Sequence, residues 1–220
     1  IITPADIFKS HVGESEESVR LLFDEIDASP NGAVLFIDEC ESIFSRRSEN
    51  TQDYKAAVTT ELLQRINGFT DNEGTSKRIM VAATNRPWDI DEAYLRYKRF
   101  SHLIHVTPPD REAKRAIIES KLEGIELEGI TIDDILDMTE KSSLKKSEIG
   151  YTDVVDSYFS GADVCGVIEE ACRLALEKME EANTTIYLPI TKAMFDKAFE
   201  GKKGSISAAE LEKYTKFSEN

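Results

Sequence analysis

Two adjacent carboxylates follow the first strongly apolar run of the chain. Asp38 and Glu39 come directly after Ala33–Ile37, a run of five apolar residues. In this position an Asp can hold Mg²⁺ through its water shell, while a Glu can polarise a water for attack on a phosphoryl group. Two hydrated acids at a strand end are the alternative, and the pair alone leaves both interpretations open.

An amide follows the second apolar run, Ile79–Ala83, which lies in the predicted strand Arg78–Ala83. Asn85 lies two residues beyond it, and its side chain both donates and accepts hydrogen bonds. It could therefore contact an attacking water and a γ-phosphate oxygen together. The structural alternative is an Asn-containing turn closed by Pro87.

Two arginines come eleven and fourteen residues after the amide. Arg96 and Arg99 flank a short polar turn in Leu95–Phe100. Guanidinium groups in such a turn could neutralise charge on a transferring phosphate, including one held by a neighbouring subunit. Ordinary surface charge is the other interpretation of this pair.

The elements that would position these residues alternate between helix and strand patterns. Helices are predicted at Glu14–Ala28 and Asp53–Asn67, the second of them stopped by Gly68, and strands at Ala33–Ile37, Arg78–Ala83 and Leu103–Val106. This alternation predicts an α/β fold with a doubly wound parallel sheet. Because such sheets bind ligands at the carboxyl ends of their strands, the polar residues lie where a ligand is expected.

The pattern changes at Thr107–Asp110, where two consecutive prolines suggest a hinge. Residues 1–108 are therefore expected to form the α/β part and residues 109–220 a small all-helical domain. Its predicted helices are Arg111–Leu122, Ile132–Met138, Ala162–Ala182, Ala193–Phe199 and Ser207–Phe217. Beyond a short extended piece at Thr185–Leu188 we expect no strand here, and we interpret Glu140–Ser157 as an inserted loop or short helix.

Composition excludes several classes of protein. The 220 residues carry 27 basic and 42 acidic side chains, a net charge of −15. Such an acidic surface repels nucleic acid and anionic membranes. The longest apolar runs have five residues, far short of the roughly 20 needed to span a membrane. Three scattered cysteines favour a reducing, cytoplasmic location.

The order and spacing of these pieces resemble the AAA+ ATPases. The likeness covers residues 1–217 and is strongest to the protein-remodelling branch, which includes valosin-type unfoldases and microtubule-severing and membrane-complex-disassembling members. The resemblance implies that Asp38 and Glu39 are the Walker B pair, Asn85 is sensor 1, and Arg96 and Arg99 are arginine fingers.

The helical part carries a further likeness. Ser160–Asp163 resembles a Ser-Gly-Ala-Asp motif whose backbone lies against adenine, and Gly161 and Ala162 are small enough for a flat base to approach. Ile117 and Lys121 match helix positions near the same base, although the family often has His in place of Lys121. The resemblance therefore implies ATP and Mg²⁺ as cofactors.

Two departures from the family pattern affect these expectations. The sequence contains no Gly-x-x-x-x-Gly-Lys-Ser/Thr loop, and it begins in mid-pattern with Ile1, so we expect an N-terminal truncation that removed this loop. In the expected substrate-pore loop, which includes His11 and Val12, His11 stands where relatives carry an aromatic or large apolar residue before the Val-Gly step. His11 would titrate near neutral pH, and it could also be a solvated loop histidine.

The resemblance implies an ATP-hydrolysing module that remodels or unfolds proteins as a ring, expected to be a homohexamer, without nucleic-acid binding or membrane insertion. The 220 residues alone are expected to be inactive. One alternative is a non-hydrolysing regulatory or scaffold subunit that supplies arginine fingers to another protein's nucleotide. A DNA-handling AAA+ protein is the other, and the net charge opposes it.

Overall fold

A computed structural model describes residues 1–9, 13–45, 53–71, 78–147 and 150–218. The chain divides into two compact units, Ile1–Ile104 and His105–Asn220. The predicted domain boundary at residue 108 lies slightly further along the chain.

The first unit combines helices with a small parallel sheet. Its regular elements are α1 (Pro4–Ile7), α2 (Glu14–Ala28), β1 (Ala33–Ile37), α3 (Asp53–Asp71) and β2 (Arg78–Ala82). Three 3₁₀ turns, Cys40–Ser42, Pro87–Asp89 and Glu92–Leu95, follow the strand ends.

Strand β1 lies at the centre of the parallel sheet. It pairs with β2 in parallel, with Ile37 opposite Ala82. On its other side, the Ile2 amide donates to the Phe36 carbonyl at 2.8 Å and the Asp38 amide donates to the Ile2 carbonyl at 3.1 Å. The first two of the three strands predicted in this half, and the parallel pairing between them, are thus confirmed.

The core of the first unit lies between the sheet and its helices. Apolar side chains of α2, β1 and α3 are buried together, among them Val19, Leu35 and Leu62. Beneath the strand ends, Phe44 stacks on the fully buried Tyr94 with ring centroids 4.2 Å apart. Such an aromatic pair stabilises the fold by about 0.5–1.5 kcal/mol beyond the effect of burying the two rings. It therefore helps to hold the segment after β1 against the segment after β2.

Two predictions for the first half were wrong, the end of one helix and the existence of one strand. Helix α3 does not stop before Gly68 but continues to Asp71. A glycine inside a helix lowers helix stability by only about 1 kcal/mol relative to alanine, so it need not end the helix. Leu103–Val106 forms no strand. Leu103, Ile104 and Val106 are 61%, 86% and 85% exposed, and no described strand lies beside them to form a ladder.

The second unit is built mainly from helices. These are α4 (Arg111–Lys121), α5 (Ile132–Ser143), α6 (Gly161–Glu181), α7 (Lys192–Ala198) and α8 (Ala208–Ser218). All five were predicted, although α5 runs further than expected. The core lies around α6, where Val164 and Ile168 pack with Ile118 and Phe195.

The prediction that this half contains no convincing strand was wrong. Short strands occur at β3 (Leu127–Glu128), β4 (Leu144–Ser147), β5 (Gly150–Val155), β6 (Ser157–Tyr158), β7 (Ile190–Thr191) and β8 (Ile206–Ser207). Strands β4 and β5 form an antiparallel pair inside the segment interpreted as a loop or short helix. The β-branched and aromatic types in Tyr151–Val155 favour this pairing despite the polar composition. The extended piece predicted at Thr185–Leu188 is not a strand; β7 follows it and pairs with β3.

Gly204 is the glycine with the least room for a side chain among those described in the second unit. A Cβ there would lie 2.3 Å from the carbonyl carbon and oxygen of Tyr158 and 2.7 Å from the Phe159 nitrogen. Gly204→Ala is therefore expected to destabilise the second unit by about 1–3 kcal/mol, because backbone atoms cannot yield as a flexible side chain does. Urea unfolding followed by circular dichroism measures the loss.

Gly166→Ala is the matched control for this substitution. Gly166 is exposed in the interior of α6, and an added Cβ would meet no atom within 4 Å. It should raise stability by about 0.5–1 kcal/mol, since alanine restricts the unfolded chain. If Gly204→Ala unfolds at the same urea concentration as the wild type, that result would contradict the close approach of Gly204 to the Tyr158 backbone.

Candidate functional site

The chain segments that leave β1 and β2 remain paired beyond both strands. The Ala83 amide donates to the Ile37 carbonyl at 2.8 Å, and the Cys40 amide donates to the Ala83 carbonyl at 3.0 Å. Glu39 immediately precedes one end of this link and Asn85 lies two residues beyond the other. The structure therefore places both predicted residues at the same edge of the sheet.

The carboxylate pair lies on a sharp turn. Glu39 has φ 49° and ψ 43°, a left-handed conformation that is uncommon for residues other than glycine. Its amide donates to Asp38 Oδ1 at 3.0 Å, and both side chains are exposed. Backbone strain of this kind costs of order 1–3 kcal/mol and clusters at functional sites. Here it turns the chain abruptly and leaves two carboxylates at the surface.

A third acid, which the sequence analysis did not single out, fixes the neighbouring loop. Thr84 Oγ1 donates to Glu41 Oε2 at 2.6 Å and accepts from the Arg86 amide at 2.9 Å. Since Thr84 directly precedes Asn85, this chain of hydrogen bonds joins the amide-bearing loop to the turn after β1. Asn85 itself is exposed. The pattern Asp-Glu-Cys-Glu was the only sign of Glu41 in the sequence.

Cys40 lies under the carboxylate turn but is chemically inert. Burial, reinforced by the charge of Glu41, raises the pKa of its thiol to about 12. A thiol in that state is neutral at physiological pH and a poor nucleophile. Cys40 therefore acts as a small apolar core residue.

The two candidate arginines have different environments. Arg96 follows the last 3₁₀ turn and is exposed, and its guanidinium makes no hydrogen bond or ion pair with any residue the structure describes. Arg99 is half-buried, and its Nη1 donates to the Ala93 carbonyl. Lys98 between them has a left-handed φ of 66°. Arg99 thus contacts its own unit, whereas Arg96 extends into solvent.

In the second unit, the predicted base-contacting residues lie at the start of α6 and on α4. Gly161 is the first residue of α6, and a Cβ there would be 3.6 Å from Ile117 Cδ1. Ala162 is exposed beside it. Lys121 Nζ lies 3.3 Å from Glu169 Oε1, forming a surface ion pair. The structure therefore brings Gly161 and Ile117 together and pairs Lys121 with an acid.

Asp163 joins the start of α6 to a distant segment. Its Oδ2 accepts from the amide and hydroxyl of Ser160 at 2.7 and 2.8 Å, which completes a capping box. The same oxygen accepts from the amide and hydroxyl of Ser205 at 3.0 and 2.7 Å. Burial alone would raise the pKa of Asp163, but these hydrogen bonds outweigh it and hold the pKa below its ordinary value.

The lowered pKa of Asp163 predicts a pH-dependent contribution to stability. A carboxyl whose pKa is lower in the folded chain stabilises it above the unfolded pKa, and this contribution disappears as pH falls through the folded pKa. Asp163→Asn should cost about 1 kcal/mol at pH 7, because it replaces charge-assisted hydrogen bonds with neutral ones. The difference from wild type should shrink in acid, as measured by urea unfolding between neutral and strongly acidic pH.

Asp196→Asn is the matched control for Asp163→Asn. It removes an exposed carboxylate that pairs with Lys192. Such surface pairs contribute about 0–1 kcal/mol, so little change is expected at any pH. An Asp163→Asn difference that stays constant across the pH range would contradict the proposed role of the Asp163 charge.

Some predicted residues lie outside the part the structure describes. These are His11 and Val12, the expected pore residues.

The comparison with known families decides the class of the first unit. Residues 1–108 match the family described as "ATPase family associated with various cellular activities (AAA)". These residues belong to the AAA family. The resemblance inferred from the ordered polar residues is confirmed at this level.

The 220-residue chain is also similar to longer curated proteins. It is 33% identical over 232 residues to the ATPase-containing katanin p60 A-like 1 proteins of Homo sapiens and Papio anubis, and 32% identical to that of Mus musculus. Each alignment covers 98% of this chain and 43% of the relative. The chain thus spans less than half the length of these relatives.

Solved structures show the same fold. The FIGL-1 AAA domain in complex with ADP matches with a TM-score of 0.72 and 23% identity, over 99% of this chain and 67% of that one. A second crystal structure of the FIGL-1 AAA domain matches with a TM-score of 0.74 and 22% identity, over 99% of this chain and 66% of that one. The predicted α/β fold followed by a helical part is therefore confirmed. Among the described residues, no helix is both long and apolar enough to cross a membrane.

Proposed function

We propose that this AAA chain belongs to an ATP-hydrolysing module that remodels or unfolds protein substrates as a ring oligomer in the cytoplasm. The observation that carries the proposal is the hydrogen-bonded link between the two strand ends, which gathers Asp38, Glu39 and Asn85 at one sheet edge. The similar proteins support it, since the katanin-like relatives are named as ATPase-containing and a FIGL-1 AAA domain was solved with ADP.

Glu39 is the proposed general base. Its exposed carboxylate, presented by a left-handed turn, can accept a proton from a water that attacks the γ-phosphorus. Asn85 can hold that water with its amide oxygen and donate to the phosphate with its amide nitrogen. The Thr84–Glu41 hydrogen bond keeps the Asn85 loop next to the Glu39 turn, so the geometry is set before a nucleotide binds.

Asp38 is the proposed magnesium residue. Within the described ranges, no group of three or more His, Cys, Asp or Glu side chains could hold a metal by itself. One exposed carboxylate still fits Mg²⁺, because this ion is commonly bound by one or two carboxylates together with water and substrate phosphates. When bound, magnesium would neutralise charge on the β- and γ-phosphate oxygens.

Arg96 is the residue best placed to act on a neighbouring subunit. Its side chain is exposed, and its guanidinium has no partner among the described residues of its own chain, whereas the Arg99 guanidinium donates to the Ala93 carbonyl. A cation reaching a neighbour's nucleotide makes hydrolysis depend on assembly, and six subunits are expected. Arg99 was predicted as a second finger, and we propose that it assists by holding the Arg96 turn.

For the second unit we propose contact with an adenine base through Gly161 and Ala162. The missing side chain at Gly161 leaves Ile117 as its apolar neighbour, which suits an aromatic base. Lys121 would lie near the same base and place a positive charge beside this proposed adenine-binding surface. Substrate contact by His11 and Val12 in the ring pore is also part of the proposal.

ATP turnover by the full-length protein tests the proposed function. Turnover should require Mg²⁺ and should rise more steeply than linearly with protein concentration, because Arg96 would complete a site in another subunit. Binding to the 220-residue chain should be measured separately by isothermal titration with Mg-ATP. No turnover under any assembly condition would contradict the ATPase proposal.

The absence of a Gly-x-x-x-x-Gly-Lys-Ser/Thr loop in these 220 residues favours a second candidate. The chain could act as a non-hydrolysing subunit that supplies Arg96 to another protein's nucleotide. Failure of the full-length protein to bind Mg-ATP, together with acceleration of a partner ATPase that is lost in Arg96→Ala, would support this candidate. Micromolar Mg-ATP binding by the full-length protein would exclude it.

A further inference from the structure

One carboxylate oxygen in the second unit connects two segments that are distant in sequence. Asp163 Oδ2 receives two hydrogen bonds from Ser160, which cap α6, and two from Ser205, which precedes β8 and α8. Ser205 Oγ also lies 3.3 Å from Ser160 Oγ. We name these three residues the Asp163 cluster. Loss of the Ser205 hydroxyl proton as a donor would remove one of the two bonds that tie Ser205 to this oxygen.

The segment that carries Ser205 has the chemistry of a protein-kinase acceptor. Lys202 and Lys203 lie three and two residues before the hydroxyl, and the apolar Ile206 follows it. The residues from Gly201 to Ser205 form neither helix nor strand, and Lys202, Lys203 and Ser205 are exposed. Two cations upstream of a serine suit kinases whose peptide grooves are lined by acids, since charge pattern sets their choice of substrate.

We propose that Ser205 is a phosphorylation site for a basic-directed protein kinase and that its modification releases the C-terminal segment from α6. In the reaction, Ser205 Oγ attacks the γ-phosphorus of ATP held by the kinase. A new O–P bond forms, the bond between the γ-phosphorus and the β–γ bridging oxygen breaks, and ADP leaves. The hydroxyl proton passes to the kinase's catalytic carboxylate.

Phosphorylation would act through charge at the Asp163 cluster. A phosphoserine carries about −1.5 to −2 charges at neutral pH, so it repels the adjacent carboxylate instead of donating to it. The favourable position for an anion at the N-terminus of α6 is already taken by Asp163, which also keeps its two bonds from Ser160. The phosphorylated segment is therefore expelled, while the cap of α6 stays intact.

The contacts that would be lost are specific. The Gly204 amide donates to Ser157 Oγ at 3.1 Å, and Lys203 Nζ lies 2.9 Å from Asp156 Oδ2. The Ala208 amide donates to the Asp156 carbonyl at 3.2 Å, at the start of α8. These bonds and the β6–β8 pair hold α8 to the second unit, so release of Ser205 loosens the whole C-terminal helix.

Other serines provide internal comparisons. Ser101 also follows two basic residues, Lys98 and Arg99, but a histidine stands after it instead of an apolar residue. Ser207 lies two positions beyond Ser205, and its hydroxyl donates to Glu210 at 2.9 Å in the cap of α8. Neither is part of the Asp163 cluster.

The test treats the 220-residue chain with the catalytic subunit of a cyclic-nucleotide-dependent protein kinase, Mg-ATP being the phosphoryl donor. Mass spectrometry of peptides should place the phosphoryl group on Ser205. Incorporation should vanish in Ser205→Ala, persist in Ser207→Ala, and fall strongly when Lys202 and Lys203 are both changed to Gln. Labelling confined to Ser101, or no labelling of Ser205, would overturn the proposal.

Hydrogen exchange then tests the consequence. In the phosphorylated chain, amides of residues 203–208 should exchange about tenfold faster or more, as expected when charge-assisted hydrogen bonds are lost. Amides of α4 and α5 should be unchanged. Labelled Ser205 with unaltered exchange over 203–208 would refute the release mechanism. Neither measurement depends on ATP hydrolysis by this protein, so the outcome is separate from the proposed function.

Discussion

Glu39→Gln is expected to lower ATP turnover of the full-length protein by about 10²–10⁴-fold, the usual contribution of a positioned general base. Glutamine has nearly the same size but cannot accept a proton from the attacking water. Nucleotide binding should survive, because Asp38 and the backbone of the turn are unchanged. The loss should therefore appear in kcat, with KM for ATP altered little. Steady-state kinetics with a parallel Mg-ATP titration separates the two effects.

Glu25→Gln is the matched control for the loss of the Glu39 charge. Glu25 is an exposed acid on α2 and belongs to neither of the segments that follow β1 and β2, so its replacement should leave kcat unchanged. A Glu39→Gln enzyme with wild-type turnover would show that another group activates the water. Glu41→Gln is a different case, because Glu41 acts only through its bond to Thr84 and should reduce turnover less.

The parts of the fold that the sequence predicted are those set by local pattern. Ala33–Ile37 is a continuous apolar run, and this run identified β1 and the acids that follow it, although Val34 on one face of the strand is 65% exposed. Helices α4 and α6 could also be predicted from the sequence, since Asp110 and Ser160 cap them and their apolar residues recur at helical spacing.

The features that sequence reasoning missed depend on contacts between distant residues. The Thr84–Glu41 hydrogen bond joins residues 43 positions apart in sequence, and the Asp163–Ser205 hydrogen bonds join residues 42 positions apart. No local sequence pattern predicts such contacts. The β4–β5 pair was missed because its sequence is largely polar and lacks a continuous apolar run, so only the antiparallel pairing identifies the two strands. The different environments of Arg96 and Arg99 likewise depend on which carbonyl lies nearby.

Arg96→Ala is expected to lower turnover of the assembled protein by about 10³–10⁵-fold, the contribution of an arginine finger to phosphoryl transfer. Arg96 is exposed and unpaired among the described residues, so its removal should leave folding and ATP affinity nearly intact. Arg99→Ala should instead destabilise the first unit, because Arg99 donates to the Ala93 carbonyl. Urea unfolding measures this difference: Arg96→Ala should unfold at the same urea concentration as the wild type, and Arg99→Ala at a lower one.

Mixing two inactive variants decides whether Arg96 acts on its own subunit or on a neighbour. An Arg96→Ala subunit retains Glu39, and a Glu39→Gln subunit retains Arg96, so an interface between them can hold one complete set of groups. Turnover should therefore reappear when the two are co-assembled, and it should peak at intermediate ratios. Mixtures that stay as inactive as either parent would mean that Arg96 serves its own chain, because in that case neither subunit ever holds both residues.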